Sequence, residues 1–420
     1  KTIKKNNIKI IFLALPSVSK LVQRKIINQL KIYDVEIKVL PDISFIISNK
    51  LSIHDYQPIE INHLINRKTF EYDTFNNPFF NNKDILITGG GGSIGSEISR
   101  QILSAKINSL IILDHSEINL YNIKKEINEF CQKDNSNIKI HFVLASIIDT
   151  ESLELIFKKY KIDIVFHAAA YKHVSMVEEN IEVSIKNNLI GTYNLAKLSN
   201  KYNIEKFVFI STDKAVRPSN IMGASKRLSE ICIHLIAKNS KTIFSTVRFG
   251  NVIGSSGSVI PIFLQQIKNK KPITLTNKDV ERYFMTIPEA VGLVLQSCVY
   301  SKNSETFILN MGKPIKIYEL AKKMINQFNL TLKDQNNPSG DIEIKIVGLG
   351  KGEKMYEELS IGKTIKISGT DNIFIDNYEV NINEDSETYI DKFKSSLKSN
   401  NVSELKFLLK NYVEEFQSIE

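Results

Sequence analysis

The chain has 420 residues, of which 42% are hydrophobic and 24% are charged, and its formal net charge is +9. This length predicts two or three domains with substantial cores, and the composition is typical of a soluble globular protein. The positive charge does not indicate nucleic-acid binding, because the lysines are spread along the chain and no basic block is interleaved with aromatic residues. No apolar run reaches the roughly 18 residues that a membrane helix needs.

Three cysteines, Cys131, Cys232 and Cys298, lie far apart and form no C-x-x-C pair. This spacing is typical of reduced thiols in a cytosolic setting, with neither a disulfide framework nor a zinc site. The histidines include no H-E-x-x-H motif, so no metal is expected.

Residues 1–75 are predicted to form a small α/β unit of their own. A buried-strand pattern at 9–15 precedes a predicted helix over 17–30 and a second strand over 35–40. This unit lacks the glycine-rich loop typical of dinucleotide-binding sites, so we do not expect it to bind a dinucleotide cofactor. An Asn-rich stretch over 76–83 is predicted to be a linker. Because the chain begins without methionine, we expect it to be a piece of a longer protein.

The most informative stretch begins with the β-type run 84–88. Gly89, Gly92 and Gly95 follow it in a G-x-x-G-x-x-G pattern and lead into helical apolar spacing. Such glycines permit a tight turn and let a pyrophosphate approach the N-terminus of the helix. Asp114 ends the next β-type run, about 20 residues further on, where a carboxylate binds ribose hydroxyls. The order of strand, loop and helix favours an NAD site over a merely flexible loop, and Asp114 favours NAD over NADP.

Strands and helices alternate repeatedly after residue 84, which predicts an α/β fold with a doubly wound parallel sheet. Residues 84–260 are predicted to be the NAD-binding domain, 261–380 a substrate-binding subdomain, and 381–420 a helical tail packed on the surface or on a partner. Ligands bind such sheets outside the carboxyl ends of the strands. The predicted strands are 84–88, 109–113, 138–144, 163–167, 205–210 and 242–247.

Small residues follow the predicted strand 163–167. Three alanines there would let a flat cofactor approach the backbone, although tight packing alone could also explain them. We expect His167 and His173 to be structural, because neither has a partner at metal-ligand spacing. The alanines are Ala168, Ala169 and Ala170.

Thr212, Asp213 and Lys214 follow the predicted strand 205–210 and place a hydroxyl, a carboxylate and an ammonium together. A solvated turn is the alternative, but the position at the same sheet edge as the glycine loop favours catalysis. Met222 and Lys226 come shortly afterwards, one helical turn apart.

Together these stretches resemble the extended short-chain dehydrogenase/reductase superfamily. More narrowly, they resemble the nucleotide-sugar 4,6-dehydratases of the CapD-like polysaccharide-biosynthesis group, over about residues 84 to 360. Residues 1–75 look like the end of the second nucleotide-fold domain found in long members. The matching motifs are Thr88–Glu97, His167–Val174, Ser211–Val216, Met222–Arg227, Arg248–Val252 and Arg282–Thr286.

The resemblance implies NAD as cofactor and a UDP-N-acetylhexosamine, most often UDP-N-acetylglucosamine, as substrate. Lys226 matches the lysine that bonds the nicotinamide ribose. The implied substrate-side residues are Lys172, Asn251, Arg282 and Glu353. The implied cofactor residues are Gly89, Gly92, Ser93, Ile94, Gly95, Asp114, His115, Ser116, Ala168, Ala169, Ala170 and Lys226.

Such a dehydratase oxidises the sugar at C4, removes the C5 proton, expels the C6 hydroxyl as water and returns a hydride to C6. Asp213 is the candidate acid, Lys214 the candidate base, and Thr212 orients the C4 oxygen. We expect Lys226 and a dry site to lower the pKa of Lys214. Met222 stands where the superfamily usually has a catalytic tyrosine, so a single acid–base face is expected to retain the C5 configuration.

Two other functions stay open from the sequence. A 4-epimerase shares the C4 oxidation but needs no acid at C6, and a non-catalytic NAD sensor would explain the missing tyrosine. Ser146 stands where an Asp often reads the adenine, and Gly350 and Lys351 replace the usual Arg-Pro. The resemblance further implies a homo-oligomer and upstream membrane helices, so that this part would be the cytoplasmic domain of an inner-membrane protein.

Overall fold

The computed structural model describes most of the chain after residue 76 and short parts before it. The described residues are 10–13, 26, 30, 35–39, 77–134, 138–255, 257–328, 330–366, 370–378, 380, 382–399, 401–414 and 416. The chain divides into two compact units, the first of which comprises Lys1–Lys68, Val259–Lys278 and Ile315–Val347. The second comprises Thr69–Ser258, Asp279–Pro314 and Gly348–Glu420.

Eighteen strands occur in the described residues. They are β1 (Ile10–Leu13), β2 (Glu36–Val39), β3 (Asp84–Thr88), β4 (Ser109–Asp114), β5 (Lys139–Leu144), β6 (Ile164–His167), β7 (Lys206–Ile210), β8 (Ile243–Arg248), β9 (Asn251–Ile253), β10 (Ile273–Leu275), β11 (Glu281–Arg282), β12 (Phe284–Thr286), β13 (Thr306–Leu309), β14 (Ile315–Lys316), β15 (Leu332–Lys333), β16 (Ile342–Ile346), β17 (Lys363–Lys366) and β18 (Ile373–Asn377).

Twelve α-helices occur in the same described part of the chain. They are α1 (Ser93–Ile102), α2 (Glu117–Asp134), α3 (Thr150–Lys159), α4 (Val174–Glu179), α5 (Ile181–Ile185), α6 (Gly191–Lys201), α7 (Ile221–Ala237), α8 (Val259–Lys268), α9 (Ile287–Tyr300), α10 (Ile317–Gln327), α11 (Ser386–Lys398) and α12 (Val402–Tyr412). A π-helical turn, Lys186–Ile190, joins α5 to α6, and 3-10 turns occupy Pro78–Phe80 and Asp213–Ala215.

In the first unit, β1 and β2 form a parallel pair, as the sequence predicts for its N-terminal strands. Buried Leu13 and Ile37 pack together with Ile26 and Leu30. The predicted helix over 17–30 otherwise lies outside the described residues. A three-stranded parallel sheet in the order β10-β16-β15 also belongs to this unit.

The second unit is built on a nine-stranded sheet in the order β17-β18-β13-β8-β7-β6-β3-β4-β5. All pairings are parallel except those that β18 makes with β13 and β17. The six predicted strands are observed within one residue of their predicted bounds, and the predicted α/β class is confirmed. The roles assigned to each predicted domain stay predictions.

Side chains of each central strand point alternately to two apolar layers. In β3, Leu86 packs into the layer that contains α7, whereas Ile85 and Ile87 pack into the opposite layer with α1. Both faces of the sheet are therefore covered by apolar side chains.

The C-terminal tail contributes to the first of these layers instead of lying only on the surface. Tyr389 and Phe393 of α11 and Leu405 and Leu409 of α12 are fully buried. The Tyr389 hydroxyl donates a hydrogen bond of 3.1 Å to the carbonyl of Leu228 in α7. Among the described residues, no helix combines the length and the apolar character needed to cross a bilayer.

We predict that Tyr389→Ala lowers the free energy of unfolding by about 3 to 5 kcal/mol, since it leaves a large cavity in the core. Phe407→Ala is the matched control, because Phe407 on the same tail is 62% exposed and should cost little. Urea unfolding of both variants measures the difference. Equal losses would show that the tail is not part of the core.

Candidate functional site

The glycine loop between β3 and α1 leaves bare backbone at the start of a helix. Gly89 has φ +67°, and a Cβ there would lie 2.7 Å from the Cα of Ala169. A Cβ on Gly95 would lie 2.2 Å from the Gly89 carbonyl oxygen. Gly92 is the N-cap of α1 and offers no side chain. Free backbone N–H groups and the positive end of the helix dipole suit the pyrophosphate of a dinucleotide here.

Asp114 at the end of β4 is buried and holds the loop in shape. Its Oδ2 accepts from the backbone N–H of Gly91 at 2.9 Å, and its Oδ1 accepts from that of Ser116 at 2.8 Å. Each carboxylate oxygen can accept a second hydrogen bond, as binding a ribose diol requires. The side chain of His115 is 56% exposed, with Nδ1 3.6 Å from Asp114 Oδ1.

Two cavities, of about 550 and 140 Å³, border the glycine loop. Gly89, Gly92, Ala168 and Ala170 line both cavities, and Ala169 lines the smaller one. The larger cavity is mostly apolar. Of the predicted cofactor and substrate residues, the larger cavity is lined by Gly89, Gly92, Ser93, Ile94, Gly95, Ala168, Ala170 and Lys172. The smaller is lined by Gly89, Gly92, Asp114, His115, Ala168, Ala169 and Ala170, together with Ser146. The loop, its carboxylate and these cavities fit a dinucleotide.

A second cluster lies after β7, at the same edge of the sheet. Thr212 caps the 3-10 turn Asp213–Ala215. The carboxylate of Asp213 is inaccessible to solvent, and its Oδ1 accepts from Thr212 Oγ1 at 2.9 Å. Asp213 Oδ2 has no hydrogen-bond partner among the described residues. A buried side-chain oxygen without a partner is unusual in a folded protein, which marks Asp213 as a candidate functional residue.

The ammonium of Lys214 joins three chain segments at this point. Its Nζ donates to Asp213 Oδ1 at 3.0 Å and to Asn251 Oδ1 at 3.3 Å. A second carboxylate, that of Glu357, has its Oε1 3.5 Å from the same nitrogen. Asn251 is thus brought to the predicted catalytic residues, as expected of a substrate-side residue next to them.

The expected lowering of the Lys214 pKa is wrong. Burial alone would lower this pKa, but the charges of Asp213 and Glu357 more than offset it and raise the pKa above its ordinary value. Arg282 acts in the opposite direction and only weakly. The carboxylate partners, and not Lys226, therefore decide the charge of Lys214, which is an ammonium at neutral pH.

Lys226 lies deeper, beneath the end of β7. Its Nζ donates to the Ile210 carbonyl at 2.7 Å and lies 3.8 Å from the centroid of the Phe209 ring. Burial lowers the pKa of Lys226 to about 7, although Glu230 acts against this. Its predicted contact with the nicotinamide ribose stays a prediction.

A close approach at Gly223 fixes α7 against the 3-10 turn Asp213–Ala215. A Cβ at this position would lie 2.1 Å from the Lys214 carbonyl oxygen, so no larger residue fits without moving the turn. The preceding Met222 is 4% exposed and packs in the apolar layer. A thioether in this position has no proton to exchange.

Arg282 mainly clamps the chain segment that carries Glu353. Its guanidinium donates to Glu353 Oε1 at 3.1 Å and to the carbonyl of Lys354 at 2.8 Å. It also donates to the carbonyls of Met355 and Glu281, at 3.2 and 2.8 Å. Few of its donors are left for a ligand, and its predicted role with substrate stays a prediction.

The sequence analysis missed Glu357 and the steric role of Gly223. Glu357 and Glu358 are adjacent acids in a charged stretch, and nothing in a single sequence separates them. In the structure Glu357 is buried, whereas Glu358 is half exposed and pairs with Arg217 at the surface. Only the fold reveals which acid belongs to the site.

We predict that Gly223→Ala displaces the turn Asp213–Ala215, lowering both activity and the free energy of unfolding. Gly350→Ala is the matched control, because the nearest atom to a Cβ at Gly350 is a side-chain oxygen 3.7 Å away. Thermal unfolding and turnover of the two variants should separate them clearly. A Gly223→Ala variant as stable and active as Gly350→Ala would refute the steric constraint.

The chain belongs to the polysaccharide biosynthesis protein family, whose sequence profile matches residues 85–377. It is 41% identical over 359 residues to the capsular polysaccharide biosynthesis protein CapD of Staphylococcus aureus, covering 85% of this chain and 58% of that protein. The chain therefore spans less than two thirds of the length of that curated relative. The predicted membership of the CapD-like group is confirmed.

Two further similarities bear on the site. The chain is 35% identical over 284 residues to the UDP-glucose 4-epimerase of Rickettsia bellii, covering 67% of this chain and 78% of that protein. Among solved structures, that of Pen from Bacillus thuringiensis aligns with a TM-score of 0.61 and 34% identity, covering 71% of this chain and 90% of that one.

Proposed function

We propose that this chain is an NAD-dependent nucleotide-sugar enzyme and, within that class, a UDP-N-acetylglucosamine 4,6-dehydratase that retains the C5 configuration. The observation that carries the proposal is the contact of the buried Asp213 carboxylate with both the Thr212 hydroxyl and the Lys214 ammonium. Dehydration needs an acid and a base acting on neighbouring carbons, and this cluster offers both once Lys214 has lost its proton. Membership of the CapD-like group supports the same choice.

NAD is assigned to the glycine loop. The N–H groups at the start of α1, next to Gly92, would hold its pyrophosphate, and Asp114 would accept hydrogen bonds from its adenosine ribose. The chemistry that bound NAD supplies is the reversible removal of a hydride from C4 of the sugar and its return to C6. The name of a solved relative of similar fold, the UDP-glucose 4-epimerase of Thermus thermophilus, mentions a complex with NAD, which agrees with this assignment.

Thr212 and Asp213 are assigned the proton of the C4 hydroxyl. Thr212 receives it and passes its own proton to Asp213, across the 2.9 Å hydrogen bond between them. Asp213 is then the protonated acid that the C6 hydroxyl needs in order to leave as water. One carboxyl thus serves both half-reactions and ends ionised, as it began.

Lys214 is assigned the C5 proton. The C5–H bond electrons enter the enolate conjugated with the C4 ketone, and the proton moves to Nζ and later returns to C5 on the same face. Only the neutral amine accepts a proton, and the pKa of Lys214 is raised by Asp213 and Glu357, although burial opposes them. The rate of elimination should therefore increase as the pH rises.

We predict that UDP-N-acetylglucosamine incubated with the protein loses water, as mass spectrometry would detect. Asp213→Asn should lower this activity about 100-fold or more, because it removes the acid. Met222→Ala is the control that should keep appreciable activity, since no proton passes through Met222. A new sugar of unchanged mass would indicate the epimerase suggested by the Rickettsia relative, and no conversion would indicate a sensor.

We predict that NAD binds at least about tenfold more tightly than NADP, because Asp114 repels a 2′-phosphate. Asp114→Asn should reduce this preference, although it also replaces one of the two oxygens that accept loop N–H groups by a donor. Glu117→Gln is the matched control, an exposed acid at the start of α2. Calorimetric titration with both nucleotides measures the ratio, and equal affinities in the unaltered protein would contradict the assignment.

A further inference from the structure

Glu357 is a buried acid that the proposed chemistry has not yet used. Its side chain is 3% exposed, and its Oε1 lies 3.5 Å from Lys214 Nζ and 3.9 Å from Arg282 Nε. Its Oε2 is shielded from solvent and has no hydrogen-bond partner among the described residues. Burying a carboxylate with one open oxygen is unfavourable, so its place beside Lys214 calls for a functional reason.

The stretch just before Glu357 is held in place by hydrogen bonds to two other chain segments. The carbonyl of Gly352 accepts from Ser219 Oγ at 2.7 Å and from Asn220 Nδ2 at 3.0 Å, just before α7. Further along, Arg282 donates to the carbonyl of Lys354, whose own Nζ donates to the carbonyl of Val216 at 3.0 Å. The segment is thus tied both to the loop before α7 and to β11.

We propose that Glu357 is a positioning residue of the dehydratase: it holds the Lys214 side chain beside Asp213 and stabilises the positive charge that forms on the neutral amine of Lys214 when it takes the C5 proton. This inference rests on the proposed function, because it concerns the base assigned there. It deepens that assignment by adding a residue that contacts the base from a distant chain segment.

The order in which charges change during the reaction explains why a second carboxylate is needed beside Lys214. When the C4 proton has moved to Asp213, that carboxyl is neutral and no longer attracts Lys214. Lys214 then gains a positive charge as it takes the C5 proton, and Glu357 is the carboxylate still ionised within 4 Å of it among the described residues. A fixed anion at the site of developing positive charge lowers the barrier to proton transfer.

The remaining groups that face Lys214 do not supply this charge. Arg282, from β11, is cationic and opposes it, and Asn251, from β9, is neutral. Removing the Glu357 charge should therefore make Lys214 a weaker base that loses its own proton at lower pH.

The test compares Glu357→Gln with Glu358→Gln, the matched loss of charge at the exposed neighbour. Water loss from UDP-N-acetylglucosamine and exchange of the C5 hydrogen in D2O are followed as functions of pH. For Glu357→Gln we expect the rising limb of the pH–rate profile to shift by about one pH unit or more to lower pH. The rate on the plateau of that profile should fall about tenfold. Glu358→Gln should keep the unaltered profile.

Glu357→Asp retains the charge, so we expect the rising limb of its pH–rate profile to stay in place while the rate falls. This variant tests the role of Glu357 if Glu357→Gln fails to fold. An unshifted limb in Glu357→Gln, or a shifted limb in Glu357→Asp, would overturn the role of Glu357 alone. Absence of water loss in the unaltered protein at every pH would instead overturn the proposed function, and this inference with it.

Discussion

The parallel register of β3, β6 and β7 is the constraint on which the whole site depends. It places Thr88, His167 and Phe209 side by side at the carboxyl edge of the sheet. The buried His167 ring locks this edge, because its Nδ1 lies 2.7 Å from Thr88 Oγ1 and its Nε2 2.9 Å from Thr192 Oγ1. Burial lowers the pKa of His167 well below its usual range, so the ring is neutral and can both donate and accept. The glycine loop, the alanines and the 3-10 turn Asp213–Ala215 therefore all begin at one edge of the sheet.

A buried ion network supports the backbone just before the 3-10 turn Asp213–Ala215. Arg248 of β8 donates to Glu230 Oε2 of α7 and to Asp376 Oδ2 of β18, both at 2.6 Å. Ser211, immediately before Thr212, donates to the other oxygen of Glu230 at 2.6 Å. Burial would raise the pKa of Glu230, yet Arg248 and its neighbours hold it at about 2, so the carboxylate stays charged. The network therefore fixes the backbone that leads into the site, at a depth where an unpaired charge would be costly.

The strands of the sheet could be predicted from the sequence because each is a continuous apolar run bounded by turn residues, as buried parallel strands require. The glycine loop and Asp114 could be predicted because their spacing follows from the shape of a dinucleotide site. The raised pKa of Lys214 could be predicted only in part, because Asp213 is adjacent in the sequence but the second carboxylate, Glu357, lies 143 positions further along the chain. The composition of the first compact unit could not be predicted either, because this unit combines segments that are far apart in the sequence.

The most direct test of dehydration uses UDP-N-acetylglucosamine that carries deuterium at C4. Oxidation at C4 and hydride return to C6 on the same enzyme require the label to move between these two carbons of one sugar. We predict that NMR finds the deuterium at C6 of a product that has lost water. Deuterium remaining at C4 of a sugar of unchanged mass would contradict the dehydratase and favour a 4-epimerase.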